Sequence, residues 1–145
     1  MRLFAFERRW LAGMLETIIP AGCSDRYPQS ALDTGAPEIF DEMLLYLPAA
    51  TALGLRGAVL GIELLGPLAG LRKPARFSRL GPAEREACLT ALSRSRVYFL
   101  RQLVLLLKSV ACFGFGGDRG VHDLIGINLP PKFIRPGGTA KGDAN

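Results

Sequence analysis

The run Arg96-Val97-Tyr98-Phe99-Leu100-Arg101-Gln102-Leu103-Val104-Leu105-Leu106-Leu107-Lys108-Ser109-Val110-Ala111-Cys112-Phe113 decides the fold. Its length and composition make it a helix. At about 100° per residue, Arg94, Arg101, Gln102, Lys108 and Ser109 fall on one arc of roughly 120°, and the rest of the circumference is Leu, Val, Phe, Ala and Cys. A helix that apolar is covered on more than one side. It is the centre of a bundle, or it contributes a surface to a complex.

The chain has 145 residues, which fits one domain with its own core. It is 49% hydrophobic with a mean hydropathy of +0.23, so membrane insertion is the first class to test. A spanning helix needs about 20 mostly apolar residues. The two best candidates carry internal charge, Arg56 and Glu63 in residues 53–71 and Arg101 and Lys108 in the organising helix, and neither reads as a span. A peripheral or partner-binding apolar face stays open.

The other segments read outward from that helix. Phe6, Trp10, Met14, Leu15 and Ile18 recur at helical spacing, giving an amphipathic helix over about residues 4–19 that stops near Pro20. The Arg8-Arg9 pair invites an export-signal reading, but Glu16 interrupts the apolar run that such a signal requires. Residues 21–37 are rich in Gly, Ser, Asp and Pro and read as loop. Pro37 opens a second helix, with Glu38, Asp41 and Glu42 at its positive end and Pro48 beyond it. Adjacent Asp41 and Glu42 point about 100° apart, as a solvated helix start does and a metal site does not. A third helical segment covers residues 49–71 and closes at Pro67 and Gly70; Gly57 and Gly61 have a spacing that permits close helix approach. Pro82, Glu84 and Glu86 begin a helix over about 82–93. Whether it continues into the organising helix is open. Glycines between Gly114 and Gly120 stop that helix, one short turn follows near residues 121–124, and residues 130–145 form a Pro/Gly-rich flexible tail.

The chemistry-bearing residues are few. Net charge is +5, and the densest basic cluster is Arg72, Lys73, Arg76 and Arg79. Only Phe77 lies within it, so base stacking has little support and the cluster reads as a solvated connector, not a nucleic-acid site. The three cysteines, Cys23, Cys88 and Cys112, are far apart and show no metal-site or disulfide-framework spacing. Cys88 and Cys112 are expected in the core as reduced thiols. His122 is the only histidine and reads as a surface or interface residue, since no serine motif or carboxylate pair accompanies it. The glycines after Phe113 lack the order of a dinucleotide fingerprint, which also requires a preceding strand.

Four stretches in order resemble the gluconate 2-dehydrogenase subunit 3 family, small accessory subunits of flavin-dependent glucose-methanol-choline oxidoreductases. They are Leu15-Glu16-Thr17-Ile18-Ile19-Pro20-Ala21; Ala31-Leu32-Asp33-Thr34-Gly35-Ala36-Pro37 leading to Phe40; Phe77-Ser78-Arg79-Leu80 with Glu84-Arg85-Glu86; and Ser95 through Arg101 to Lys108 and Phe113. The resemblance spans about residues 6–126. From Phe77 onward the chain also resembles the helical N-terminal region of long-chain alcohol oxidases. The resemblance implies a non-catalytic subunit that docks on a large flavoprotein and stabilises it. FAD is then expected in the partner and no cofactor in this chain, with peripheral membrane contact through the complex. A cytoplasmic location, or a periplasmic or membrane-associated one shared with the partner, is compatible with it.

The expected fold is an all-α bundle of five or six helices in a single domain over residues 1–129, with the organising helix at its centre. Phe99, Arg101, Leu103, Leu107, Lys108 and Phe113 are the candidate partner-binding residues, and no catalytic or metal-binding residue is assigned. The competing reading is a free-standing helical module that binds a hydrophobic ligand or a membrane surface. An enzyme in its own right has least support, because the sequence offers no means of holding a cofactor.

Overall fold

A computed structural model describes residues 2–22, 24–25 and 28–126. The expected tail at 130–145, the boundary at 129 and Cys23 lie outside the described residues. Within them the chain is all-α: α1 (Ala5–Ile18), α2 (Ala36–Tyr46), α3 (Ala49–Leu71), α4 (Pro82–Ser93), α5 (Tyr98–Gly117) and α6 (Arg119–Ile125), with a 3-10 turn at Phe77–Arg79.

The organising helix is α5, and it packs against each of the other five helices. Its inner arc, Leu103, Val104, Leu107, Val110 and Ala111, is buried. Leu11, Met14 and Leu15 from α1, Phe40 and Leu44 from α2, Val59 and Ile62 from α3, and Leu89 and Leu92 from α4 close round it as one core. Hydrophobic burial at about 25 cal/mol per Å² makes this core the main source of stability.

Local chemistry sets the helix ends. Gly35 takes φ +71° immediately before α2, a conformation that suits glycine, and Pro37 sits in the first turn where its missing N–H costs nothing. Pro82 does the same for α4. Arg72 ends α3 at φ 55°, the one non-glycine residue with positive φ among those described, and its N–H donates to the Leu68 carbonyl at 3.1 Å. Residues Arg94–Val97 separate α4 from α5, so the open question of one bent helix or two resolves as two.

One expected helix stop is corrected. Pro67 lies inside α3, which runs on to Leu71 with Gly66 and Gly70 close against Cys88, Ala91 and Leu92 of α4. The glycine-rich stretch after Phe113 does end α5, at Gly117, although Gly114 itself still lies inside the helix. Gly114 instead answers a packing demand: a Cβ there would lie 2.7 Å from the Ala36 Cβ, so only glycine allows α2 to approach this closely. Asp118 then begins α6, its Oδ1 accepting from the Val121 N–H at 3.1 Å.

Candidate partner-docking surface

The outer face of α5 is an exposed apolar surface that also carries charge. Tyr98 (66%), Phe99 (65%), Leu105 (55%) and Phe113 (62%) are all well exposed. Tyr98, Leu105 and Cys112 recur every seven residues and therefore share one stripe, and Arg101 and Lys108 repeat at the same interval beside it. The sequence from Arg94 to Gly117 contains four basic residues and no acidic one. Arg96, Arg101 and Lys108 form no ion pair among the described residues. The Arg101 guanidinium is nonetheless held in place, donating to the Ser95 carbonyl at 3.1 Å and lying 5.7 Å from the Tyr98 ring centre. A face of this kind suits an apolar partner surface edged with carboxylates.

Of the expected docking residues, Phe99, Arg101, Lys108 and Phe113 lie on this face. Leu103 and Leu107 do not: they are 6% and 0% exposed and belong to the core. Their positions, one turn apart, fall on the arc opposite Tyr98. Tyr98, Leu105 and Cys112 take their place, and the seven-residue recurrence is the signal that could have found them. Cys112 is likewise exposed rather than in the core. Cys88 is buried as expected, and burial pushes its thiol pKa up to about 11, so it is a poor nucleophile.

A second group of aromatics lies at the start of α1, where Phe4 joins the Phe6 and Trp10 expected on the first helix. Phe4 and Phe6 stack with ring centres 5.6 Å apart, and Phe6 meets Trp10 edge-on at 4.9 Å. Beneath them Glu7 is buried, accepting from Arg56 Nε at 2.7 Å and from the Phe4 N–H at 2.8 Å. Arg56 also covers the Phe4 ring at 4.7 Å. This arrangement ties the start of α1 to α3, 49 residues along the chain.

A half-open cavity of about 170 Å³ lies between α1, α4 and α5, lined by Thr17, Ile18, Glu86, Leu89, Thr90 and Lys108. Its mixed lining and small size suit a single partner side chain better than a cofactor. His122 donates to or accepts from nothing catalytic; its ring nitrogen lies 2.6 Å from the Gly116 carbonyl. Among the described residues no group of three or more His, Cys, Asp or Glu side chains is placed to hold a metal ion.

Comparison with protein-family models, curated proteins and solved structures finds no match. The stretches quoted for the resemblance nevertheless have clear structural work in this chain. The Ala31 N–H donates to the Ile19 carbonyl at 3.0 Å, joining the first stretch to the second. Asp33 Oδ2 accepts from the Ser30 N–H at 2.9 Å and from its hydroxyl at 2.8 Å, and these bonds hold the Asp33 carboxyl below the usual carboxylate range. In the third stretch, buried Glu63 accepts from the Ser78 hydroxyl at 2.5 Å and from its N–H at 3.1 Å. Arg85 closes that clamp by donating to the Ser78 carbonyl at 2.8 Å, with its guanidinium 5.9 Å from the Phe77 ring centre. These three stretches therefore build the scaffold, and the fourth presents the exposed face.

Proposed function

We propose that this chain is a non-catalytic small subunit whose α5 outer face docks on a larger flavin-dependent oxidoreductase of the glucose-methanol-choline type. The observation that carries the docking reading is the exposed face with Tyr98, Leu105, Cys112 and Phe113 beside Arg101 and Lys108, which form no ion pair among the described residues, on a helix whose inner arc is fully packed. Aromatic residues and arginine at the middle of an apolar patch are what protein interfaces favour, since a held guanidinium loses little freedom on binding. The class of the partner rests on the four-stretch resemblance. Its FAD would be held by the large chain, and the task of α5 would be to cover apolar surface there.

The test is co-expression with a candidate flavoprotein, followed by size-exclusion chromatography read at the flavin absorbance band. Co-elution is expected, together with protection of Cys112 from alkylation in the complex. Leu105→Glu should abolish both while leaving the helical circular dichroism unchanged. A colourless monomer that ignores the flavoprotein overturns the reading and returns the free-standing helical module.

A further inference from the structure

Helix α3 is arranged inside out. Across Ala49–Leu71 the only charged residues are Arg56 and Glu63, and both turn inward, to Glu7 and Ser78 respectively. Its large exposed side chains are all leucines, Leu53 (58%), Leu64 (49%), Leu65 (58%) and Leu68 (53%), and its other exposed residues are Ala, Gly and Thr. Leu53, Leu64 and Leu68 fall within about 60° of one another at helical periodicity. A helix facing water does the reverse, because exposed charges are well solvated and buried ones carry a desolvation penalty that only pairing offsets.

The charge missing from that face is concentrated at its C-terminal end. Arg72 follows α3 directly, its N–H bonded to the Leu68 carbonyl, and Arg76 and Arg79 follow in the connector, all three exposed. None of the three forms an ion pair among the described residues, whereas Lys73 pairs with Glu84. The connector is not free to swing away. The Glu63 carboxylate accepts two hydrogen bonds from Ser78 and so fixes the 3-10 turn carrying Arg79 against α3 itself.

We propose that the outer face of α3, together with Arg72, Arg76 and Arg79, docks this chain on an anionic lipid surface. The complement to four exposed leucines without a free charge among them, followed at the helix end and in the connector by three arginines that form no ion pair among the described residues, is a medium that is apolar within and anionic at its edge. A bilayer with acidic headgroups has that layout: the leucines enter the acyl boundary and the guanidiniums stay with the phosphates. A second copy of this chain is a poorer complement, since it would bring arginines of the same sign. This face is separate from the exposed row on α5, so the inference stands with or without a flavoprotein partner.

Flotation of the full chain through a density gradient tests it, with vesicles of phosphatidylcholine plus phosphatidylglycerol against vesicles of phosphatidylcholine alone. Flotation separates lipid-bound protein, which rises, from aggregate, which sinks. The chain should rise with the anionic vesicles, and Leu64→Asp/Leu68→Asp should lower partitioning by about a hundredfold, since each buried leucine is worth on the order of tenfold. Arg76→Gln/Arg79→Gln leaves the core untouched and should lower it about tenfold, with rising salt doing the same. Leu105→Glu on α5 should leave it unchanged. The proposal is overturned if the chain fails to rise with anionic vesicles, if the arginine variants rise as well as the parent, or if the leucine variant self-associates less while its flotation is unchanged.

Discussion

Helices α3 and α5 are both long and apolar enough to cross a membrane by length and composition alone, yet they place their charges in opposite ways. On α3 the charges face inward, Arg56 paired with Glu7 and Glu63 hydrogen-bonded to Ser78, and the large side chains outside are leucines. On α5 the inside is wholly apolar, and the outside carries Arg101 and Lys108 among aromatic residues. Hydropathy rates the two alike, so it says nothing about what each outer face meets. The direction of the charges does. An unpaired outward cation asks for a partner carboxylate or headgroup, whereas a paired inward charge leaves its helix free to face a medium without hydrogen-bonding groups.

This contrast can be broken by mutation. The largest effect is expected at Arg56→Ala, which strands the buried Glu7 carboxylate and should cost about 3 kcal/mol by urea unfolding. If its cost matched that of Arg101→Ala, the inward charge would be no different from the outward one. On the inner arc of α5, Gly114→Ala forces a methyl into the Ala36 backbone and should cost about 2 kcal/mol. Glu63→Gln keeps the shape of the α3 clamp but loses a charge-assisted bond to Ser78, at about 1.5 kcal/mol.

Phe99→Ser, Arg101→Ala and Lys108→Ala on the outer face of α5 should each change stability by less than about 0.5 kcal/mol. Their effect should appear in partner co-elution instead. A large loss of stability for any of them would place that residue in the fold and out of the interface.

The smallest expected effect is on pH dependence. Glu84 is held below the usual carboxylate range, first by its bond from Lys73 and then by the Gly81 N–H, and Asp33 by its bonds from Ser30. Each therefore binds its proton more weakly folded than unfolded. Their contribution is complete above the ordinary carboxylate range and is lost as pH falls through the lowered folded values. Both are exposed and screened, so the urea midpoint should decline only slightly between neutral and acidic pH, and Ser30→Ala should flatten that decline.

Much of this was legible along the chain because it depends on near neighbours. The bounds of α1, α2 and α4 follow from helical spacing of apolar residues and from Pro37 and Pro82 in first turns, whereas the break at Arg94–Val97 was settled only by the structure. The glycine stop was legible as a stretch, but the role of Gly114 within the helix was not, because it is set by Ala36, 78 residues earlier. Leu103 and Leu107 were assigned outward for a similar reason. On a helix apolar round two-thirds of its circumference, composition does not say which third the bundle leaves uncovered.

The sequence by itself determined the helical class and α5 as the long apolar helix at its centre, since 3.6-residue periodicity needs no knowledge of neighbours. The tertiary structure decided which face of each long helix looks out, and with it every candidate docking residue. Arg56 finds Glu7 and Glu63 finds Ser78 only after the helices pack, and those two pairings turn the charges of α3 inward and its leucines outward.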